Sequence, residues 1–578
     1  MRSRMLLVRR AGHLKTSRAF TQSTAARIDY RPRPRVPFLA VSTTHAGLVR
    51  YLTTNRVARI KYDIKTGIKY TGYVWIAGIA LFASWVAIFQ EQLERRYPTP
   101  HEWSYKTRLD FRGGNCARYE PPPGKPTDWL QVAGWFEMAL NRLHDPNIDG
   151  KGVKDAGHEY PPGTKDVTAK SEEWRRGYFQ TLMGYAKAVE YMEGWVLDKS
   201  RNICFPPGTM IGPSNPFPKP LPPGFKGAPR EEDCVPRFDS PNDIYVRILS
   251  TPGFTNRQRI EAGLAYASWL EYKGITGPAS IVYEDAVRLA ATERPDFPAE
   301  PIDKKTYVLN DAAGPPSENL LNTLTAYATF RARQGHLDAA LPILVSLLKA
   351  RRNLPTTSPT PLTDSLNNQP SNKKPSTWSK LVTFVSPPPY PPPPPPGTAP
   401  PLRNNPLNTC QQAALGLHIG EIMYALASSP SSKSKHPNSG GGKEEALAWT
   451  RDAVDVAEEQ LRYLPQAAYA ALDSPARVTC KECLAAGLDN WRAMVGKLAR
   501  EEETKRKALE KQQQQGAGAG WLSGLWSKSV PGRSALKEEE VNRWAAEEKV
   551  VEERRKRVSE LLEDIRPAPS GVMSMFFV

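Results

Sequence analysis

The chain has 578 residues, enough for several domains or one long repeat array. Charged residues make up 24% of it and apolar residues 40%, which excludes a wholly disordered chain and a polytopic transporter. Proline is frequent, with 55 residues where average usage is about 5%, and it must lie mostly in loops because it breaks helices.

The net charge of +18 is concentrated at the N-terminus. Residues 1–70 contain 16 basic and two acidic residues, whereas residues 71–578 contain 62 basic and 58 acidic ones. A body that binds DNA or RNA needs clustered Lys and Arg to displace counterions, and this body has no such cluster. We therefore expect no nucleic-acid partner.

Residues 1–50 have the composition of a mitochondrial transit peptide. They are rich in Arg and Ser, and Asp29 is their one acidic residue. Arg18, two residues before Phe20, resembles a matrix-peptidase site and predicts cleavage near residue 20. A secretory signal would need an apolar core of about 7–15 residues, which is absent, so a disordered basic tail is the remaining alternative.

Residues 72–89 are predicted to form a transmembrane helix. They carry no charge, and as a helix they rise about 27 Å, close to the thickness of the hydrocarbon core. Residues 51–71 before them are basic, whereas the charges that follow cancel, so the positive-inside rule keeps the N-terminus in the matrix. Everything after Phe89 would then lie in the intermembrane space; a buried helix of a soluble domain is the alternative.

Residues 127–350, which follow a juxtamembrane linker at 90–126, are predicted to be helical. Thr127–His144 begins with a Thr-Asp cap, and Ser171–Lys199 has two glutamates in its first turn. Both segments show apolar residues at helical spacing, and Pro-rich loops separate them.

Two segments in this region fit the 34-residue frame of a tetratricopeptide repeat, a helix–turn–helix unit. Small residues recur where the two helices must approach closely, and a glycine permits the turn. The residues at these packing positions are Ala267, Gly274, Ala279, Tyr283 and Ala286 in 260–290, and Ala328, Gly335 and Ala340 in 320–348. Residues 408–500 contain a third, looser helix pair and one further helix.

The predicted fold is therefore all-α: a degenerate tetratricopeptide-like helical solenoid behind one transmembrane helix, with long Pro-rich loops. A generic helical bundle with Ala-rich contacts would show much the same pattern and stays open.

Two segments depart from the repeat pattern. Residues 351–407 are predicted to be a Pro-rich disordered insertion whose polyproline run around Tyr390 should be extended and exposed. Pro387–Tyr390 matches a WW-domain ligand, but we interpret the insertion as a passive loop. Residues 501–578 form a charged tail with a Gly/Trp hinge, and opposite charges in Lys537–Ile565 favour a solvated helix over a coiled-coil partner. The apolar terminus VMSMFFV could dock into the groove of the solenoid.

Catalytic constellations are absent from the sequence: it has no Walker motif and no GxSxG, and its eight histidines form no pair at metal-ligand spacing. We expect no enzyme activity, no cofactor and no metal. Cys480 and Cys483 form a CxxC, which we interpret as buried small apolar residues. Cys204 and Cys234 both lie in a Pro-rich loop. They are a candidate disulfide pair, because the intermembrane space permits oxidation.

The combination of presequence, one span and repeat helices resembles the fungal family of the yeast mitochondrial inner-membrane i-AAA protease adaptor. The segments that carry the resemblance are 72–89, Tyr97–Trp103 and the repeat helices at 260–290 and 320–348. It implies a non-catalytic adaptor of the inner membrane that binds the i-AAA protease and a second adaptor subunit and presents unfolded client proteins.

A solenoid offers such clients a long surface for an extended or helical segment. The groove-facing positions of the first helices are the candidate partner-binding residues Glu261, Ser268, Glu271, Asn322 and Thr329. Two other functions stay open: a scaffold or assembly factor for an inner-membrane complex, and an import-receptor type of repeat protein in the outer membrane. A cleavable presequence before the span argues against the second of these.

Overall fold

The computed structural model describes residues 54–122, 124–221, 224–225, 227–293, 300–356, 390–428, 440–464, 474–517 and 531–562. The chain divides into two units, residues 1–86 and 87–578. The predictions for the transit peptide, for the Gly/Trp hinge beyond Ala517 and for the apolar terminus fall outside the described residues.

Helix α1, Thr54–Arg96, contains the predicted span. No residue of its most apolar window is buried, and Val74, Trp75 and Leu81 are each about 70% accessible. Among the described residues it is the one helix that is long and apolar enough, by length and composition, to cross a membrane.

The unit of residues 87–578 is mostly helical, which confirms the predicted all-α class. Its further α-helices are α2 (Tyr105–Tyr119), α3 (Trp129–His144), α4 (Glu172–Tyr191), α5 (Pro241–Ser250), α6 (Asn256–Tyr272), α7 (Thr276–Ala291), α8 (Glu318–Arg333), α9 (Leu337–Arg352), α10 (Pro406–Ser428), α11 (Gly440–Tyr463), α12 (Pro475–Ala517) and α13 (Pro531–Leu562). Each of these helices from α2 onward packs against the next one in the chain.

Short antiparallel strands occupy the loops around α4. Lys154–Asp155 (β1) pairs with Lys165–Asp166 (β2). Val196–Asp198 (β3) lies between Ile203–Phe205 (β4) and Cys234–Pro236 (β5). Helix α4 is therefore shorter than the predicted Ser171–Lys199, since Gly194 turns the chain with φ +79° into β3.

Alternate helices run parallel. Arg257 at the start of α6 lies 3.9 Å from Glu318 at the start of α8, and Arg333 at the end of α8 donates to Glu271 at the end of α6 at 2.6 and 2.8 Å. Helices α10 and α12 are aligned in the same way, because a Cys410–Cys480 disulfide joins them early and Tyr424 donates to the Met494 carbonyl later, at 3.3 Å. Between α6 and α8, and between α10 and α12, the intervening helix therefore runs in the opposite direction.

The turns of the two best-matching pairs use the same chain reversal. Gly274 and Gly335 have φ of +76° and +86°, in the left-handed region that favours glycine. In each turn the next residue donates its N–H to a carbonyl five residues back, Ile275 to Leu270 at 2.9 Å and His336 to Arg331 at 3.0 Å. This is the Schellman arrangement, which satisfies carbonyls left free at a helix end.

The remaining packing positions of the two pairs are buried in the structure. They are Ala267, Ala279, Tyr283, Ala286, Ala328 and Ala340. An alanine at these positions leaves room for the facing helix, while the Tyr283 ring packs 4.8 Å from the Phe330 ring of the next pair.

Two apolar cores share α10. Leu415, Ile419 and Ile422 belong to the core that extends back to Trp103, whereas Leu417 and Tyr424 belong to the core formed with α11–α13. Helix α10 is therefore apolar on two faces, because each of them packs against a different core.

Helix α13 differs from the solvated helix that the charge pattern favoured. Trp544, Val551 and Val558, spaced by seven residues, are buried in the core formed with α11 and α12. Charged residues flank them, and Arg451 of α11 donates through Nε to Glu547 at 2.8 Å. The apolar stripe is narrow, so the charges dominate the sequence pattern although the helix is packed.

The cysteines pair differently from the sequence expectation. Cys410 is bonded to Cys480, so Cys480 is not the simple apolar residue that we expected, while Cys483 is buried with a free thiol. Cys204 and Cys234 are free, and the pairing suggested for them is wrong. They lie on β4 and β5, on opposite sides of β3, and two strand spacings of about 4.8 Å are too far for a disulfide.

Candidate functional site

An extended segment of the chain lies across the starts of α4, α6 and α8. We call residues Tyr390–Ala399 the proline strap. Its six prolines, Pro391–Pro396, are exposed, as the sequence predicts for a polyproline run. The strap is nevertheless held by side chains of three helices, so the prediction of disorder is wrong for this part of the insertion.

Arg176 of α4 holds the first part of the strap. Its guanidinium donates from Nη1 to the Pro392 carbonyl at 2.8 Å and from Nη2 to the Pro391 carbonyl at 2.6 Å. The same group lies over the Tyr390 ring, 4.3 Å from its centroid. Arg176 is only 7% exposed, and a buried guanidinium needs such acceptors.

The second part of the strap is held by α6 and α8. Arg257 donates from Nη1 to the Pro395 carbonyl at 2.6 Å, and Asn319 donates from Nδ2 to the Pro396 carbonyl at 2.9 Å. We call Arg176, Arg257 and Asn319 the donor row. All three side chains donate hydrogen bonds to main-chain carbonyls. A polyproline helix has no internal hydrogen bonds, so its carbonyls are free to accept them.

The end of the strap also caps α8. The first N–H groups of that helix have no partner within it, and Glu318 and Asn319 donate theirs to the carbonyls of Ala399 and Gly397 at 3.2 and 3.1 Å. Gly397 has φ +76°, and a Cβ there would meet the Asn319 side chain at 2.2 Å. Any other residue at position 397 would therefore push the strap away from α8.

Two of the five partner-binding candidates, Glu261 and Ser268, are exposed on α6. Desolvation by the surrounding protein raises the pKa of the Glu261 carboxyl, and nearby Arg257 opposes that rise. Glu261 lies one helical turn after Arg257 on the same helix, so its carboxylate is a neighbour of the donor row.

The other three candidates make contacts within the array. Glu271 pairs with Arg333 of α8, and Asn322 accepts hydrogen bonds from buried Arg351 at 3.3 Å and from Gln411 at 3.4 Å. Thr329 lines a recess of about 310 Å³ between α8 and α10, together with His418. Arg333, the partner of Glu271, lines the same recess as Thr329, whereas the Asn322 side chain is engaged by Arg351 and Gln411.

Sequence reasoning missed all three residues of the donor row. Arg176 lies before the region that fits the repeat frame, and its strap partners are 215 and 216 residues away in the chain. The available signal was the length of the connection between α9 and α10, because loops longer than about 12–15 residues usually have a function.

A second polar recess lies between α3, α4 and α5. His144 and the Tyr178 hydroxyl are 2.9 Å apart there, and Lys165 and Arg247 line the same space. Burial together with these two cations lowers the pKa of His144 to about 4. The imidazole is therefore neutral at physiological pH and hydrogen-bonded, which is the state of a structural histidine.

The low pKa of His144 predicts a loss of stability in mild acid. The folded chain resists protonation at pH values where the unfolded chain, with a histidine pKa of about 6.5, accepts a proton. Stability should fall as the pH drops from 6.5 to 4, by about 2 kcal/mol from this residue once its partial exposure is allowed for. In His144→Gln, which keeps a hydrogen-bonding group without a charge, urea titrations should show a shallower decline over that window. An equal decline in both proteins would show that His144 is not the cause of the loss of stability.

Comparison with known proteins identifies no relative. No family model, no curated protein and no solved structure matches the chain.

Proposed function

We propose that this protein is a membrane-anchored, non-catalytic repeat protein of tetratricopeptide-like type that binds extended segments of other proteins. The observation that carries the proposal is the donor row, three side chains on three successive first helices that hold an extended chain by its carbonyls. Recognition of main-chain groups depends on an extended conformation more than on side chains, so one site can accept extended segments of different proteins.

The repeat architecture is supported by the parallel alignment of α6 with α8 and of α10 with α12, and by the identical turns at Gly274 and Gly335. In repeat arrays each unit buries its apolar face on its neighbours and leaves one continuous surface for a ligand. The donor row lies on such a surface, at the starts of the first helices.

The proposed place is the mitochondrial inner membrane, with the helical body in the intermembrane space. The exposed apolar part of α1 supports a membrane span, and the basic segment before it supports an N-terminus in the matrix. The Cys410–Cys480 disulfide favours an oxidising compartment over the cytosol, which speaks against a cytosol-facing import receptor.

Within this class we propose the specific role of an adaptor that brings substrates to the i-AAA protease with a second adaptor subunit. This step depends on the family resemblance. A scaffold for assembly of an inner-membrane complex would use the same surface, and identified partners distinguish the two roles.

The test has two parts. A C-terminally tagged chain in fungal mitochondria should resist added protease in intact organelles and be digested once the outer membrane is ruptured. Affinity purification from the same mitochondria should then recover the i-AAA protease. Digestion in intact organelles contradicts the proposed location, and recovery of a respiratory-complex assembly intermediate without the protease favours the scaffold.

A further inference from the structure

The connection between α9 and α10 contains many more residues than the packing of these two helices requires. The two helices pack directly on each other, yet residues 353–405 separate them, and the strap within this connection reaches back to α4. Connections between packed helices commonly take two to eight residues. The additional residues allow the strap to reach the starts of α4, α6 and α8.

The attachment of the strap is mostly polar. Pro391–Pro396 expose their rings to water, and Tyr390 and Thr398 are only partly buried. The contacts that hold them are hydrogen bonds to carbonyls and one cation–π contact. A segment held in this way can leave without opening either apolar core, unlike a helix of the array.

An empty donor row is open to water. With the strap removed, the two Nη atoms of Arg176 and the first N–H groups of α8 exchange their carbonyl acceptors for water. A chain that offers carbonyls at the same positions can replace this water, because the donors are already held in place by the helices. The chemistry of the site defines that chain: an extended run of prolines, whose carbonyls are free, preceded by an aromatic ring that stacks on Arg176.

We propose that the donor row is a binding site for proline-rich segments of partner proteins and that the strap is its internal competitor. The strap occupies the site in the resting protein, and a partner segment binds when the strap leaves. This deepens the proposed function, on which it rests, by naming the site where an extended partner binds and what controls access to it.

The test uses the full chain in detergent micelles and a fluorescent peptide with the sequence of residues 390–399. Two variants release the strap: Gly397→Val, and replacement of Tyr390–Pro396 by alternating Ser and Gly. A closed strap lowers the apparent affinity by the fraction of molecules that are open. We expect at least about tenfold tighter peptide binding in both release variants than in the wild type, measured by fluorescence anisotropy.

Two controls define the site. In the Ser/Gly release variant, Arg176→Gln with Arg257→Gln should remove most of the peptide binding, whereas Arg288→Gln, an exposed arginine of α7 paired with Asp285, should not. A peptide with alanine in place of the six prolines should bind weakly, because it lacks the preformed extended conformation.

The outcomes separate this inference from the proposed function. If the release variants fold but do not bind the peptide, or if the wild type binds it equally well, the strap does not compete for the site. If binding survives the loss of both arginines, the donor row is not the binding site. If the peptide binds as expected but the i-AAA protease is never recovered, the site stands and the adaptor role fails.

Discussion

Glu94→Ala should be among the most destabilising single substitutions in the helical body, lowering its free energy of unfolding by about 3–5 kcal/mol. Glu94 is 3% exposed, and its carboxylate lies 2.6 Å from Arg112 and 3.1 Å from Arg108 of α2. It also accepts hydrogen bonds from the backbone and hydroxyl of Thr99, at 3.0 and 2.7 Å. Alanine would leave a buried guanidinium without its counterion, which costs more than the pair itself contributes.

The matched control lies one helical turn earlier. Glu91 pairs with Arg95 at 3.1 Å, but Arg95 is exposed, so Glu91→Ala should change stability by no more than about 0.5 kcal/mol. Glu94→Gln should lie between the two, because its amide oxygen can still accept from Thr99. Urea unfolding followed by circular dichroism gives the ranking, and equal values for Glu91→Ala and Glu94→Ala would contradict the central role of Glu94.

Loss of the Cys410–Cys480 bond should destabilise the core around α10–α13 by about 2–4 kcal/mol. The two cysteines are 70 residues apart in the chain, so the bond removes much of the freedom of the unfolded segment between them. Thermal unfolding of the wild type should begin at lower temperature under a reducing agent. The Cys410→Ala, Cys480→Ala double variant should be equally unstable with and without the reductant.

Thiol counting checks the same bond independently. Denatured, unreduced protein should react with alkylating reagent at four cysteines, namely Cys116, Cys204, Cys234 and Cys483. Cys204→Ala is the control for removal of a cysteine outside the bond and should leave the effect of reductant unchanged. Six reactive thiols, or a wild type that is insensitive to reductant, would exclude the disulfide.

Cys483 should not exchange with this disulfide, although it lies one turn from Cys480 on α12. Burial raises the pKa of the Cys483 thiol to about 12, so the reactive thiolate is scarce at neutral pH. The CxxC therefore contains one disulfide partner and one inert thiol, which is unlike a redox motif that depends on both of its cysteines.

Much of the secondary structure follows from local sequence signals. Asp128 caps α3 as the Thr-Asp pair predicts, since its carboxylate accepts the N–H groups of Leu130 and Gln131 at 3.1 and 3.2 Å. Gly274 and Gly335 end α6 and α8 because the left-handed turn favours a residue without Cβ. These signals act within a few residues, so they can be recognised without knowledge of the fold.

The sequence by itself therefore determined the helical class, the position of the apolar span and the two best helix pairs. Only the tertiary structure decided that Cys410 meets Cys480, that α13 packs rather than extends into solvent, and that the strap lies on Arg176. Each of these contacts joins residues far apart in the chain, and their local sequence contains nothing that specifies the partner. Arginine and asparagine are ordinary surface residues, and they become a candidate site only because packing brings the starts of three helices to one proline-rich segment.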